Sequence, residues 1–121
     1  MKYMRLYADE NGESHAEEVG TAFAPVDYAP PAPPLEVSNP VDATRHMFIR
    51  FPAGWDIGFH RSPRRQLFVV LSGEIEGAAS DGSTMNLKPG DVLLMEDTSG
   101  KGHSAKAVGG TEAHALMIHL D

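Results

Sequence analysis

The stretch that decides the fold is GWDIGFHRSPRRQLFVVLSG, residues 54–73. Its glycines and polar residues recur at fixed intervals: Gly54, five residues, His60, one residue, Ser62, three residues, Gln66, six residues, Gly73. Side chains of a β-strand alternate between its two faces. If the turn at Pro63 keeps this phase, one face carries His60, Ser62, Gln66, Phe68 and Val70. The pattern predicts an interior strand face that is polar at one end and apolar beyond it.

A second stretch supplies another histidine from a distant part of the chain. Gly90 to Met95 leads through a short Gly-rich loop to His103. Neutral imidazole nitrogens bind first-row transition metals, and catalytic metal sites tend to keep one coordination position open. Two imidazoles and an amide that converge inside a small barrel would form a metal or small-molecule site, with His60, Gln66 and His103 as candidate metal ligands. The ordinary alternative is that each histidine is hydrogen-bonded and inert.

The charge of this candidate site limits its affinity for a metal. The amide oxygen of Gln66 carries no charge, so an ion held with two imidazoles would keep its full charge in a low-dielectric cavity, which is costly. Glu96 and Asp97 precede His103 and could turn inward to restore a negative charge, although a solvated strand end is their more ordinary role. The sequence predicts at most one divalent transition metal, Zn, Ni, Fe or Mn, as an optional cofactor.

Both stretches resemble the two motifs of the cupin superfamily. The first motif is commonly written G-x5-H-x-H-x3-E-x6-G, and this chain matches its spacing throughout, with Ser62 at the second histidine and Gln66 at the glutamate. In the second motif Gly90, Asp91 and His103 fit. Three features depart from that motif: Glu96 stands for the usual proline, Ala107 for the usual asparagine, and Thr98 to Gly102 is longer than the common loop.

The resemblance covers the chain from about Gly54 to His119. It implies an all-β fold of the RmlC-like type, a double-stranded β-helix or jelly-roll barrel. The family is also known for metal-dependent isomerases, lyases and dioxygenases, and the sequence does not choose among these reactions.

Bulk properties exclude several classes of function. A chain of 121 residues is predicted to form a single domain. Its formal net charge of −7 argues against nucleic acid or an anionic membrane as the main partner, because both require a basic face. Without cysteine there is no disulfide and no thiolate ligand. With no apolar leader or spanning segment, the sequence predicts a soluble, cytoplasmic protein.

Within the single domain of residues 1–121 we expect two parts. Residues 1–43 are predicted to form N-terminal strands and a Pro-rich strap, since five of the nine prolines lie between Pro25 and Pro34. Residues 44–121 are predicted to form the barrel core, a series of short strands punctuated by Gly, Pro and Asp. The N-terminal part has more apolar surface than a lone barrel needs, so we expect a homodimer.

The remaining candidate residues would bind a small anionic ligand. Three arginines lie around Pro63 and would hold a carboxylate or phosphate beside a pocket mouth, or else pair with surface acids. In the last strand the even-numbered face, which carries Leu116 and Ile118, is taken as a possible pocket face, and His119 is placed opposite. The predicted ligand-binding residues are Ser62, Arg64, Arg65, Phe68 and His114.

Two functions remain open at this point. The first is a metal-dependent enzyme that acts on a small anionic metabolite. The second is a cupin that binds a small ligand without catalysis and without a tightly bound metal. The metal content of the purified protein would distinguish these two functions.

Overall fold

The computed structural model describes all residues 1–121 and is entirely β, without helices. The twelve strands are β1 (Lys2–Ala8), β2 (Ser14–Gly20), β3 (Ala24–Val26), β4 (Leu35–Val37), β5 (Arg45–Phe51), β6 (Asp56–His60), β7 (Gln66–Ser72), β8 (Ile75–Ala79), β9 (Thr84–Leu87), β10 (Val92–Glu96), β11 (His103–Ala107) and β12 (Ala113–His119). No helix with the length and apolar character needed to span a membrane is present.

Ten of these strands form two sheets. The first sheet has the order β2-β1-β10-β7-β12-β5, and the second has the order β6-β11-β8-β9. Every pairing is antiparallel except that of β1 with β10. The two-sheet jelly roll expected from the sequence is therefore confirmed.

The core lies between the two sheets. Burial along β12 alternates strictly from Ala113 to His119, as expected for a strand with one face against the core. Leu6 and Val70 of the first sheet are almost completely buried, and they belong to one apolar cluster with Ile75 and Met85 of the second sheet. This shared burial of apolar surface holds the sheets together.

The tight turn after β7 requires a glycine at position 73, which is the second glycine of the first motif. Gly73 has a φ of 75°, and a Cβ there would lie 2.7 Å from the backbone oxygen of Glu112. Only glycine adopts this left-handed conformation without a steric penalty. Gly73 thus lets β7 turn tightly into β8 beside the start of β12.

The N-terminal segment divides differently from the sequence prediction. β1 lies inside the first sheet between β2 and β10, so the barrel includes residues 2–20 as well as the predicted core of residues 44–121. β3 and β4 pair only with each other and flank the Pro-rich strap. Residues 22–36 and 38–43, which we call the arm, are all exposed.

Candidate functional site

The two sheets enclose a cavity of about 460 Å³, lined by 21 residues of which 12 are hydrophobic. Small-molecule sites typically have volumes of roughly 300–1,000 Å³. Its apolar walls include Met47, Ile49, Phe51, Trp55, Phe68, Leu93 and Met117. The side chains that we call the polar lining are His60, Ser62, Arg64, Gln66, His103, Ser104 and His119. The barrel is therefore hollow enough to hold a ligand.

His60 and His103 meet in this cavity. They stand directly opposite each other in the antiparallel pair β6–β11, and their ring centroids are 4.5 Å apart at an interplanar angle of 53°. Gly102 permits this approach, because a Cβ at that position would lie 2.0 Å from the backbone oxygen of His60. The convergence of the two imidazoles that the sequence predicted is present in the structure.

A buried carboxylate lies behind His103. Asp97 has no exposed surface, and its Oδ2 accepts a hydrogen bond of 2.6 Å from His103 Nδ1. Its Oδ1 accepts a second bond of 2.6 Å from the hydroxyl of Ser62. Because an ionised carboxylate can only accept, Nδ1 carries the ring hydrogen and the lone pair of neutral His103 is at Nε2.

His60 is oriented in the same manner by a backbone carbonyl. Its Nδ1 donates to the oxygen of Gly58 at 2.9 Å, which leaves the Nε2 lone pair free. His60 is half-buried, whereas His103 is only 4% exposed. Both rings therefore have a single defined tautomer with Nε2 as the unbonded nitrogen.

Three further polar side chains of the lining are Arg64 just before β7, Gln66 at the start of β7 and His119 at the end of β12. Gln66 and His119 are cross-strand partners, and both are buried. The amide nitrogen of Gln66 lies 3.7 Å from the sulfur of Met95. Arg64 Nη1 donates to His119 Nδ1 at 3.4 Å. The guanidinium of Arg64 and the imidazole of His119 therefore line the cavity next to Gln66.

His119, not His114, faces the cavity. The structure corrects the predicted position of His114, which lies on the outer face with its side chain 40% exposed. There its Nδ1 bonds to the hydroxyl of Ser72 at 2.8 Å, and its Nε2 accepts from Arg50. Apolar residues occupy both faces of β12, so alternation alone did not identify the buried one.

The three arginines around Pro63 lie in different surroundings in the structure. Arg64 lines the cavity, whereas Arg65 points outward and bonds to Glu96 at 2.6 Å. Arg61 donates instead to the backbone oxygen of Gly100. Burial raises the pKa of Glu96, but hydrogen bonds from Arg65 and Arg5 outweigh it and hold that pKa below its ordinary value. Glu96 thus belongs to an outer ion-pair network.

The sequence prediction was also wrong about the position of Asp97. We expected a solvated strand end, yet it is completely buried and hydrogen-bonded through both oxygens. Alternation along β10 could not have found it, because Leu93, Leu94 and Met95 are all buried and both faces of the strand are apolar.

The ionisable side chains that line the cavity are all basic. No Asp or Glu lines the cavity, whereas Arg64 and three histidines do, in a protein with a net charge of −7. The carboxylate of Asp97 is occupied on the far side of His103 and does not reach the cavity wall. The environment presented to a ligand is therefore neutral to positive.

These residues do not fit a tightly held divalent ion. No group of three or more His, Cys, Asp or Glu side chains is close enough to hold one. The predicted set of His60, Gln66 and His103 offers two neutral nitrogens and a neutral oxygen, and the cation of Arg64 lines the same cavity. Zinc sites in enzymes usually have three His, Cys or carboxylate ligands. A divalent cation here would face uncompensated charge.

Comparisons with known proteins agree with the fold. The family described as Cupin domain matches residues 47–119 of this chain. No curated protein matches.

Several solved structures are similar to this chain at low sequence identity. A cupin domain from Bordetella pertussis Tohama I is 19% identical, with 84% of this chain and 95% of that chain covered and a TM-score of 0.50. The Schizosaccharomyces pombe Cnp3 cupin domain is 18% identical, with 99% and 88% covered and a TM-score of 0.51. A predicted oxalate decarboxylase from Thermotoga maritima is 20% identical, with 84% and 94% covered and a TM-score of 0.50. With the family match over residues 47–119, the chain belongs to the cupin domain family.

Proposed function

We propose that this protein binds a small organic anion with an apolar body, without a tightly bound metal. The observation that carries the proposal is the cavity of about 460 Å³, whose walls are largely apolar and whose ionisable lining consists of Arg64 and three histidines. The apolar walls favour a hydrocarbon or aromatic body. The guanidinium of Arg64 favours a carboxylate or phosphate head.

The one tryptophan of the chain provides a direct assay. Trp55 lines the cavity and packs against Phe51, with ring centroids 4.8 Å apart. A ligand that enters should change its fluorescence. Octanoate and octan-1-ol share an apolar chain and differ in charge, so their dissociation constants measure the contribution of the anionic head.

We expect octanoate to bind more tightly than octan-1-ol. Arg64→Gln should weaken octanoate binding roughly tenfold or more, since a hydrogen bond to a charged group contributes about 1.5–3 kcal/mol. The same change should leave octan-1-ol unaffected. Arg65→Gln is the matched control, because Arg65 is adjacent in sequence but pairs with Glu96 outside the cavity. Equal affinity for both probes, or an equal effect of both substitutions, would contradict the proposal.

The metal-dependent enzyme implied by the family is the alternative. The free Nε2 positions of His60 and His103 favour it, and the missing acidic ligand counts against it. Elemental analysis of protein purified without added metal decides between them. We expect far less than one ion per chain, and close to one ion that is released by His60→Ala or His103→Ala would establish the metal site instead.

The proposal includes the cytoplasmic location and the homodimer predicted from the sequence. The side chains of Phe23, Val26 and Leu35 in the arm and of Phe48 in β5 are exposed, and they support the homodimer, since exposed apolar patches can mark protein–protein interfaces. Light scattering during size-exclusion chromatography would measure the oligomeric state.

A further inference from the structure

The cavity is polar at one end and apolar at the other. In the first sheet Gln66 and His119 are cross-strand partners, and six residues earlier in β12 Ala113 is the partner of Phe51. At about 3.4 Å per residue these two layers lie roughly 20 Å apart along the strands. Stacked sheets are only about 10 Å apart, so the space between them is longer than it is wide. A ligand that fills this space must extend along the strands.

The second sheet has the same polarity. His60 and His103 are partners at one end of the pair β6–β11, and four residues later the backbone N–H of Ala107 donates to the oxygen of Trp55 at 2.8 Å. Trp55, which precedes β6, packs against Phe51 of the first sheet with ring centroids 4.8 Å apart. The apolar ends of the two sheets therefore coincide, and these two rings, which we call the aromatic end, lie opposite the polar lining.

Flexible side chains line the space between the two ends. Four of the six methionines of the chain line the cavity, namely Met47, Met85, Met95 and Met117. Methionine is unbranched and adapts its shape to an irregular apolar neighbour. The cavity of about 460 Å³ has room for roughly 15 water-sized groups at about 30 Å³ each. These features suit a flexible hydrocarbon chain of limited length.

We propose that the ligand is an unbranched fatty acid of roughly 10–14 carbons, with its carboxylate at Arg64 and its methyl end against the aromatic end. The inference rests on the proposed function and adds the shape and the direction of the ligand. The reverse direction is disfavoured, because no charged side chain lines the cavity beside Phe51 and Trp55, and a buried carboxylate without a partner is costly. The aromatic end thus limits the length of the chain.

A series of chain lengths tests this limit. The probes are the even-numbered saturated carboxylates from hexanoate to hexadecanoate, below the concentrations at which they form micelles, with isothermal titration calorimetry measuring affinity. We expect affinity to rise about fourfold for each added methylene, because each one buries further apolar surface. The rise should stop at roughly 12–14 carbons. A constant gain through hexadecanoate would overturn the inference.

Phe51→Ala tests whether the aromatic end sets the limit. Removal of the ring opens space beyond the methyl end, so we expect hexadecanoate to gain affinity relative to dodecanoate in this variant. Phe48→Ala is the matched control, because Phe48 lies on the outer face of the same strand and is 74% exposed. The control should leave the whole series unchanged. The same limit in both variants would overturn the role of Phe51.

The direction of the ligand is measured on the unmodified protein, which needs no variant to fold. A bromine atom quenches the fluorescence of a tryptophan that it contacts. We expect 12-bromododecanoate, with bromine at its methyl end, to quench Trp55 strongly at saturation, and 2-bromododecanoate, with bromine beside the carboxylate, to quench it weakly. Equal quenching by the two acids, or stronger quenching by 2-bromododecanoate, would overturn the proposed direction.

The outcomes separate this inference from the proposed function. Tighter binding of octanoate than of octan-1-ol, without a length limit in the series, overturns the inference and leaves the proposed function intact. Failure of every acid in the series to bind overturns both.

Discussion

Replacement of Gly102 by alanine tests how the two cavity histidines are brought together. Gly102 has a φ of 74°, and a Cβ there would lie 2.0 Å from the oxygen and 2.3 Å from the carbonyl carbon of His60. The left-handed conformation costs an alanine about 1–2 kcal/mol. Forcing backbone atoms apart adds roughly 1–3 kcal/mol. We expect Gly102→Ala to lower the free energy of unfolding by about 2–5 kcal/mol.

Gly82→Ala is the matched control. Gly82 has a φ of 92°, but no atom lies within 4 Å of the position that an alanine methyl group would take there, so this variant incurs the conformational cost alone. Urea unfolding followed by Trp55 fluorescence measures both variants, and octanoate titration reports on the cavity. We expect weaker binding only in Gly102→Ala, because the methyl group must displace His60. Equal stability and equal binding of the two variants would refute the steric argument.

Two further perturbations probe regions outside the cavity. Val70 is 1% exposed, so Val70→Ala should destabilise the protein by about 2–3 kcal/mol in urea unfolding, whereas exposed Val41→Ala should change it by less than about 0.5 kcal/mol. The hydrogen bonds that protonated His15 donates to Asp9 and Asp81 raise its pKa above 6.5. They are the main cause that lowers the pKa of Asp9 below 3.8, and they add to the hydrogen bonds from Ser83 that lower the pKa of Asp81 below 3.8. The contribution of His15 to the free energy of unfolding is therefore complete below pH 6.5 and is lost as the pH rises through its raised pKa. The contribution of Asp9 and Asp81 is lost as the pH falls through their lowered pKa values. The stability difference between wild type and His15→Gln should be largest between about pH 4 and pH 6.5 and should shrink on either side; a difference independent of pH would contradict this.

The strand framework and part of the site followed from local alternation. Met47, Ile49 and Phe51 recur with period two along β5, which is typical of one strand face, and all three residues line the cavity. The same patterning placed His60 and Gln66 on an inward face, which the structure shows. Alternation succeeds in these strands because only one of their faces meets the core.

Alternation failed where both faces of a strand are apolar. On β12 the outward Leu116 and Ile118 are more hydrophobic than the inward Ala113 and Ala115, so side-chain character favoured the wrong face. A register shift between His114 and Ala115 relative to β7 further separates the local pattern from the final position. Leu116 and Ile118 on this outer face are half-buried, and the homodimer stays a prediction.

The N-terminal strands contribute to the site although they lie outside the two motifs. The turn between β1 and β2 contacts the loop that leads to His103: the backbone N–H of Lys101 donates to the oxygen of Gly12 at 2.8 Å, and the Ser14 hydroxyl donates to the oxygen of Gly102 at 2.6 Å. These contacts link residues about 88 positions apart, so no local signal could reveal them. The position of His103 therefore depends on residues 2–20.

The chemistry of the site follows from where its negative charge lies. The cupin motif has a glutamate at the position of Gln66, where a carboxylate would face the cavity and favour a cation. Here that position is a neutral amide, and the buried carboxylate is Asp97, on the far side of the His103 ring. Moving the charge behind the imidazole leaves the cavity suited to an anion.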